Sequence, residues 1–174
     1  MSSPNLDRLF VERARDYLAN EYPAKLRITI AALPHDKLWW RPNESSNSVG
    51  NLLLHLNGNL RQWIVAGVGG ETFERHRAAE FAAREGAPAP ALLVALEATL
   101  ADVDRILSQL TADRLAERCA IQGRDLTVLD AVFHVTEHFA YHLGQIILVA
   151  KMFAPGGVHF YEDAGGLARP LWHK

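Results

Sequence analysis

The chain has 174 residues, 49% hydrophobic and 22% charged, which is long enough to bury a substantial core without staples and ordinary for a globular domain. Lys and Arg total 18 against 20 Asp and Glu, a formal net charge of −2, and the basic residues are scattered, so neither nucleic acid nor an anionic membrane finds an electrostatic footprint. A lone Cys119 excludes an internal disulfide, Asp7 and Arg8 stand where a signal peptide needs an apolar run, and the most apolar stretch, residues 139–150, is shorter than the ~20 residues of a bilayer span; residues 1–174 are expected to form one cytoplasmic domain.

In chain order, Leu6, Leu9, Phe10, Ala14, Leu18, Leu26, Ile30 and Leu33 recur near the helical period, with Tyr22 and Pro23 interrupting, and predict a first helix or kinked pair from Asn5 to Ala32. Residues 34–47 hold two prolines, Trp39, Trp40 and an Asn/Ser-rich turn, and read as a loop. Ser48 is a plausible N-cap for a second helix, Val49 to about Val68, ended by Gly67, Gly69 and Gly70. The charged stretch 71–86 predicts a short exposed helix. Pro88 and Pro90 start a third long helix to about Leu110, and residues 111–126 look irregular, with a short extended piece at Arg118 to Ile121. Thr127 and Asp130 match a capping box for a fourth helix that Pro155, Gly156 and Gly157 stop after Phe153. The tail from Val158 to Lys174 is expected to be a packed extension without regular structure. Four long amphipathic segments and no convincing strand alternation predict an all-α antiparallel four-helix bundle.

His134, His138 and His142 stand at steps of four on the fourth helix, and with Tyr141 and Gln145 they share one stripe. Asn51, His55, Asn59 and Gln62 share a stripe of the second helix. A polar stripe on a bundle helix is commonly its solvated face; facing stripes instead make a metal site, two ligands from one helix and one from its neighbour with a position left open. Three successive turns of one straight helix fan out too far for His134 to join both of its neighbours on one ion. Phe139, not Glu, follows His138, so the HExxH metalloprotease pattern is absent, and so are the paired Glu-x-x-His motifs of di-iron bundles.

The segments SNSVGNLLLHLNGNLRQWI (46–64) and HVTEHFAYHLGQI (134–146), with Trp40-Arg41-Pro42 and the 75–84 stretch, resemble the DinB/YfiT-like superfamily of small metal-binding four-helix bundles, in a DUF1572-type or DUF664-type branch. The resemblance implies that His55, His138 and His142 hold one divalent transition metal, with Zn or Ni favoured and Fe, Mn or Co open. His134, Tyr141, Gln145 and Asn59 would then lie behind the ligands or in the pocket wall. It further implies a thiol-dependent S-transferase using bacillithiol, mycothiol or glutathione, and a homodimer. A metal-dependent hydrolase and a non-catalytic metal- and ligand-binding stress-response module are the alternatives.

Trp39, Trp40, Trp63, Phe133 and Phe139 are expected in the core or a pocket wall. Cys119 has no neighbouring His and reads as a bystander. Arg75, Arg77 and Arg84, interleaved with Glu74, Glu80 and Glu85, read as a solvated face.

Overall fold

The computed structural model describes residues 5–172 and is mostly helical. Helix α1 runs without a break through an α-helical Leu6–Arg15, one π turn at Asp16–Glu21 and an α-helical Tyr22–Ala32. The irregularity thus precedes Pro23 by one turn. Proline has no N–H to give and crowds the carbonyl four residues back; the wider turn, in which the Tyr22 N–H bonds the Tyr17 carbonyl, absorbs this without ending the helix.

After the loop, α2 comprises Val49–Leu60 and a π turn at Arg61–Ala66. Its start is a complete capping box, in which the Asn51 N–H donates to Ser48 Oγ while Asn51 Oδ1 accepts from the Ser48 N–H. A short helix α3, Arg77–Ala82, packs on α2. Helix α4 is Ala89–Leu107, three residues shorter than its leucine pattern suggests, because Leu110 already belongs to the turn that Thr111 caps for a short α5, Ala112–Ala116.

The stretch expected to be irregular also holds a hairpin: β1 (Arg118–Ile121) pairs antiparallel with β2 (Arg124–Thr127). Its two-residue turn, Gln122-Gly123, has φ of 52° and 73°, the geometry that matches the twist of the flanking strands. Helix α6, Val128–Phe153, follows from a second capping box at Thr127 and Asp130.

The tail departs from expectation, since Tyr161–Asp163 (β3) and Ala168–Pro170 (β4) form a second small hairpin. Gly165 and Gly166, at φ of 68° and 85°, supply the left-handed turn that joins them. Lys25 of α1 anchors this hairpin, its ammonium lying 4.6 Å from the Trp172 ring centroid and facing Phe160 and Tyr161. The last two residues of the expected extension, His173 and Lys174, lie outside the described residues.

Leu18, Leu26, Leu52, Leu53, Leu56, Leu60, Ile64, Leu96, Leu107, Phe139 and Ile146 are fully buried, so α1, α2, α4 and α6 share one apolar core. Trp63 lies in it and Trp39 at its edge, and Trp40 meets the ring of Phe153 edge-on, but Phe133 is 60% exposed. It belongs to an outward row on α6 with Tyr141, Leu148 and Met152, rotated away from the buried Val132, Val135 and Phe139. Among the described residues, no helix is long and apolar enough to cross a membrane.

Candidate metal centre

Helices α2 and α6 pack together, and their inward polar positions meet where the core gives way to surface. His55 and His142 are buried and His138 is half-buried, each offering one donor nitrogen, all within 4.8 Å of one another. The Nε2 atoms of His55 and His138 are 3.1 Å apart. Ligand nitrogens about 2.05 Å from a tetrahedral zinc stand about 3.3 Å from one another, so this spacing suits a single ion. The two α6 rings have centroids 4.5 Å apart, as expected of residues one turn apart on one face.

A ligating histidine needs one ring nitrogen free and the other held by an acceptor. His142 Nδ1 lies 2.8 Å from Gln145 Oε1, which makes Nδ1 the donor and leaves Nε2 free. His55 Nδ1 lies 2.9 Å from Glu80 Oε2, with the same consequence. Arg75 Nη2 also approaches His55 Nδ1, at 3.0 Å, but an N–H cannot accept; the protons of that nitrogen go to Glu80 Oε2 at 2.7 Å and to the His55 carbonyl at 3.4 Å. With His55 protonated on Nδ1, the short Nε2 to Nε2 contact is a hydrogen bond donated by His138. Its Nδ1 is then a bare acceptor, in keeping with its burial and lack of a partner.

Burial disfavours the charged form of the three α6 imidazoles. His138 is pushed down to about 3, first by loss of hydration and then by the positive potential of His142, His55, His134 and Arg75. Burial also lowers His142 and His134. For Glu80 burial acts to raise the carboxyl, but hydrogen bonds from Arg75 and His55 outweigh it, and the group lies below its ordinary range as a carboxylate. The donor set, three imidazoles with two of the rings oriented from behind, is that of a borderline divalent ion, and the residues present fit one.

The other residues singled out in the sequence divide. Gln145 touches His142 directly. His134 is beside the triad but outside it, its ring tilted against Trp63 with centroids 4.0 Å apart and its Nε2 3.5 Å from the buried Asn59 amide. Tyr141 is 61% exposed and meets His142 only with a ring edge at 5.0 Å. Asn51 does not reach the histidines; its amide ties the carbonyls of Glu80 and Ala83 to the start of α2.

Residues 5–159 match the family described as Protein of unknown function (DUF1572). The chain belongs to the DUF1572 family. Eight chains of solved structures match. One is the crystal structure of a DinB-like protein from Bacillus subtilis, 18% identical, covering 87% of this chain and 98% of its own, with a TM-score of 0.63. This DUF1572 chain therefore has the fold of a DinB-like protein. No curated protein sequence matches it.

The reading of Arg75 and Glu80 as part of a solvated face is overturned in this DUF1572 protein. The Arg75 side chain is 4% exposed and the Glu80 side chain 11%, and the two are joined bidentately, Nε to Oε1 and Nη2 to Oε2, both at 2.7 Å. Arg77 and Arg84 do stay near solvent, Arg77 over the Phe81 ring and Arg84 on the carbonyls that end α3. Phe81 itself covers His55, with ring centroids 4.6 Å apart. An interleaved charge pattern looks alike whether it faces water or folds back. The available signal was Gly58, a glycine inside an apolar helix, which marks a close approach. A Cβ there would stand 2.2 Å from Glu80 Oε1 and 3.0 Å from Arg75 Nε, so the ion pair lies directly on the α2 backbone.

Proposed function

We propose that this protein is a metal-dependent enzyme in which His55, His138 and His142 hold one divalent transition metal, and that it acts as an S-transferase on a low-molecular-weight thiol. The observation that carries the metal reading is the convergence of three imidazoles, two of them with Nδ1 committed to an acceptor. In this reading the four long helices are an antiparallel bundle, the metal is Zn or Ni before Fe, Mn or Co, and the compartment is the cytoplasm. When bound, such an ion lowers the pKa of a thiol or water at its open position.

The thiol reading is favoured by charge. Three imidazole ligands leave the ion's charge uncompensated, and the carboxylate directly behind His55, Glu80, is paired with Arg75, so a thiolate is a well-matched further ligand. Gln145 orients His142, Asn59 and Trp63 hold His134, and the exposed Tyr141 is placed to meet an electrophile arriving from solvent. The likeness to a DinB-like protein is consistent with this reading and does not choose a thiol. The outward residues Phe133, Leu148 and Met152 offer an apolar surface for the homodimer that belongs to the same proposal.

The first test is elemental analysis of untagged protein beside His55→Ala, His138→Ala and His142→Ala. About one equivalent of transition metal in the wild type, lost from each variant, is the expected result. Metal-loaded protein is then assayed for conjugation of a model electrophile with bacillithiol, mycothiol and glutathione. Turnover only with thiol supports the transferase. Turnover of an ester without thiol supports a hydrolase, and stabilisation by metal without turnover supports a binding module.

A further inference from the structure

Glu80 and Arg75 lie on a segment that sequence patterning assigns to solvent, yet both are withdrawn from water against the back of one histidine. A buried guanidinium needs a counterion and a buried carboxylate needs donors. Here each satisfies the other, and the remaining valence is spent in one direction. Glu80 Oε2 accepts from His55 Nδ1, and Arg75 Nη1 donates to Gln62 Oε1 at 3.0 Å, which also accepts from the Gln122 amide of the β1–β2 turn at 2.5 Å. The side chains form one chain from the hairpin tip through α2 to the histidine. Gly58 leaves the space in which the ion pair sits on the helix, and the Asn51 and Arg41 side chains hold the carbonyls at residues 80–83.

A fold-stabilising surface pair needs none of this. Resting on the metal reading above, we propose that Glu80 and Arg75 are positioning residues for the metal centre: Glu80 fixes His55 as the Nδ1–H tautomer and aims Nε2 at the ion, and Arg75 grips both Glu80 oxygens and holds them in place. A carboxylate behind a ligating imidazole raises its donor strength and removes the rotational freedom of the ring, and loss of such a partner typically weakens metal binding 10–100-fold. His142 has the neutral Gln145 in the equivalent position and His138 has no Nδ1 partner, so His55 is the strongest donor of the three and the one that most depends on its partner.

The test compares wild type, Glu80→Gln and Arg75→Lys in two measurements, with melting of the metal-free proteins to show that each is folded. Competition of Zn²⁺ against a chromophoric chelator reads affinity. Long-range ¹H–¹⁵N spectra of the metal-free proteins read the His55 tautomer. The expected result is a wild type with His55 protonated on Nδ1 that binds one Zn²⁺, and a Glu80→Gln variant that binds it 10–100-fold more weakly with a mixed tautomer. Arg75→Lys, which keeps the charge but loses the two-pronged grip, falls between them. If either variant melts lower while affinity and tautomer stay those of wild type, the pair is only structural and the proposal is overturned, with the histidine triad untouched. If the wild type takes up neither Zn²⁺ nor Ni²⁺, the triad reading fails and this proposal fails with it.

Discussion

At the scale of single residues, Gly58 and His138 carry the sharpest expectations. Gly58→Ala places a methyl carbon 2.2 Å from Glu80 Oε1, so the ion pair must move off the helix. A loss of about 1–3 kcal/mol in urea unfolding is expected, of the size seen for overpacking, whereas Ala for Gly in an unobstructed helix would stabilise. His138 titrates near 6.5 in the unfolded chain and stays neutral in the folded protein until about pH 3. Between these values the unfolded state binds more protons, so the stability of the metal-free protein declines as pH falls from 6.5 toward 3. Glu80 adds to the loss at the acid end: its folded value is depressed, so its contribution is full above the ordinary carboxylate range and disappears as pH drops through the folded value. Thermal melts in chelator from pH 7 to 3 follow both, and His138→Gln is expected to flatten the part of the decline just below pH 6.5. A melting temperature independent of pH over that span would contradict the burial of these groups.

At the scale of elements, two helices begin with the same side-chain arrangement and differ in what else it holds. Thr127 and Asp130 cap α6 at the surface, and Thr127→Ala should cost about 1 kcal/mol, the usual value of an N-cap. Asn51 does the same for α2 and also donates to the carbonyls of Glu80 and Ala83, so Asn51→Ala should cost about 2–3 kcal/mol and loosen the 77–86 segment. Hydrogen exchange separates the two: faster exchange confined to the first turn for Thr127→Ala, and spreading to residues 77–86 for Asn51→Ala. The part of Asn51 in the first box was read from the structure; the Ser48 cap and the Thr127–Asp130 box were legible in the sequence, because an N-cap is local chemistry within three residues. The second job of Asn51 was not, since its partners lie about thirty positions away.

At the scale of the molecule, a bound ion would tie α2 to α6 and thereby stabilise the folded state by mass action. A metal concentration 100-fold above its dissociation constant is worth about 2.7 kcal/mol, or roughly 5–10 °C in melting temperature for a chain of this size. Calorimetry before and after chelation checks this, and an unchanged melting temperature in a protein shown to bind metal would mean that the two helices are held equally well without it.

The helices, their caps and the polar stripes that carry His55, His138 and His142 were determined by the sequence itself, because each depends on spacings of three or four residues that the helical period turns into a face. Hairpin β1–β2 was half legible, as the extended piece Arg118 to Ile121. The tail hairpin was not, because strands of three residues leave no period to read. Only the tertiary structure decided that the two stripes face each other and that His134 stands aside against Trp63. It alone also decided that Phe133 turns outward and that Arg75 and Glu80 leave the solvent to close behind His55. A charged side chain has the same local preferences on a solvated face as in a buried pair. What separates the two is the partner that long-range packing brings against it, here the bare α2 backbone at Gly58.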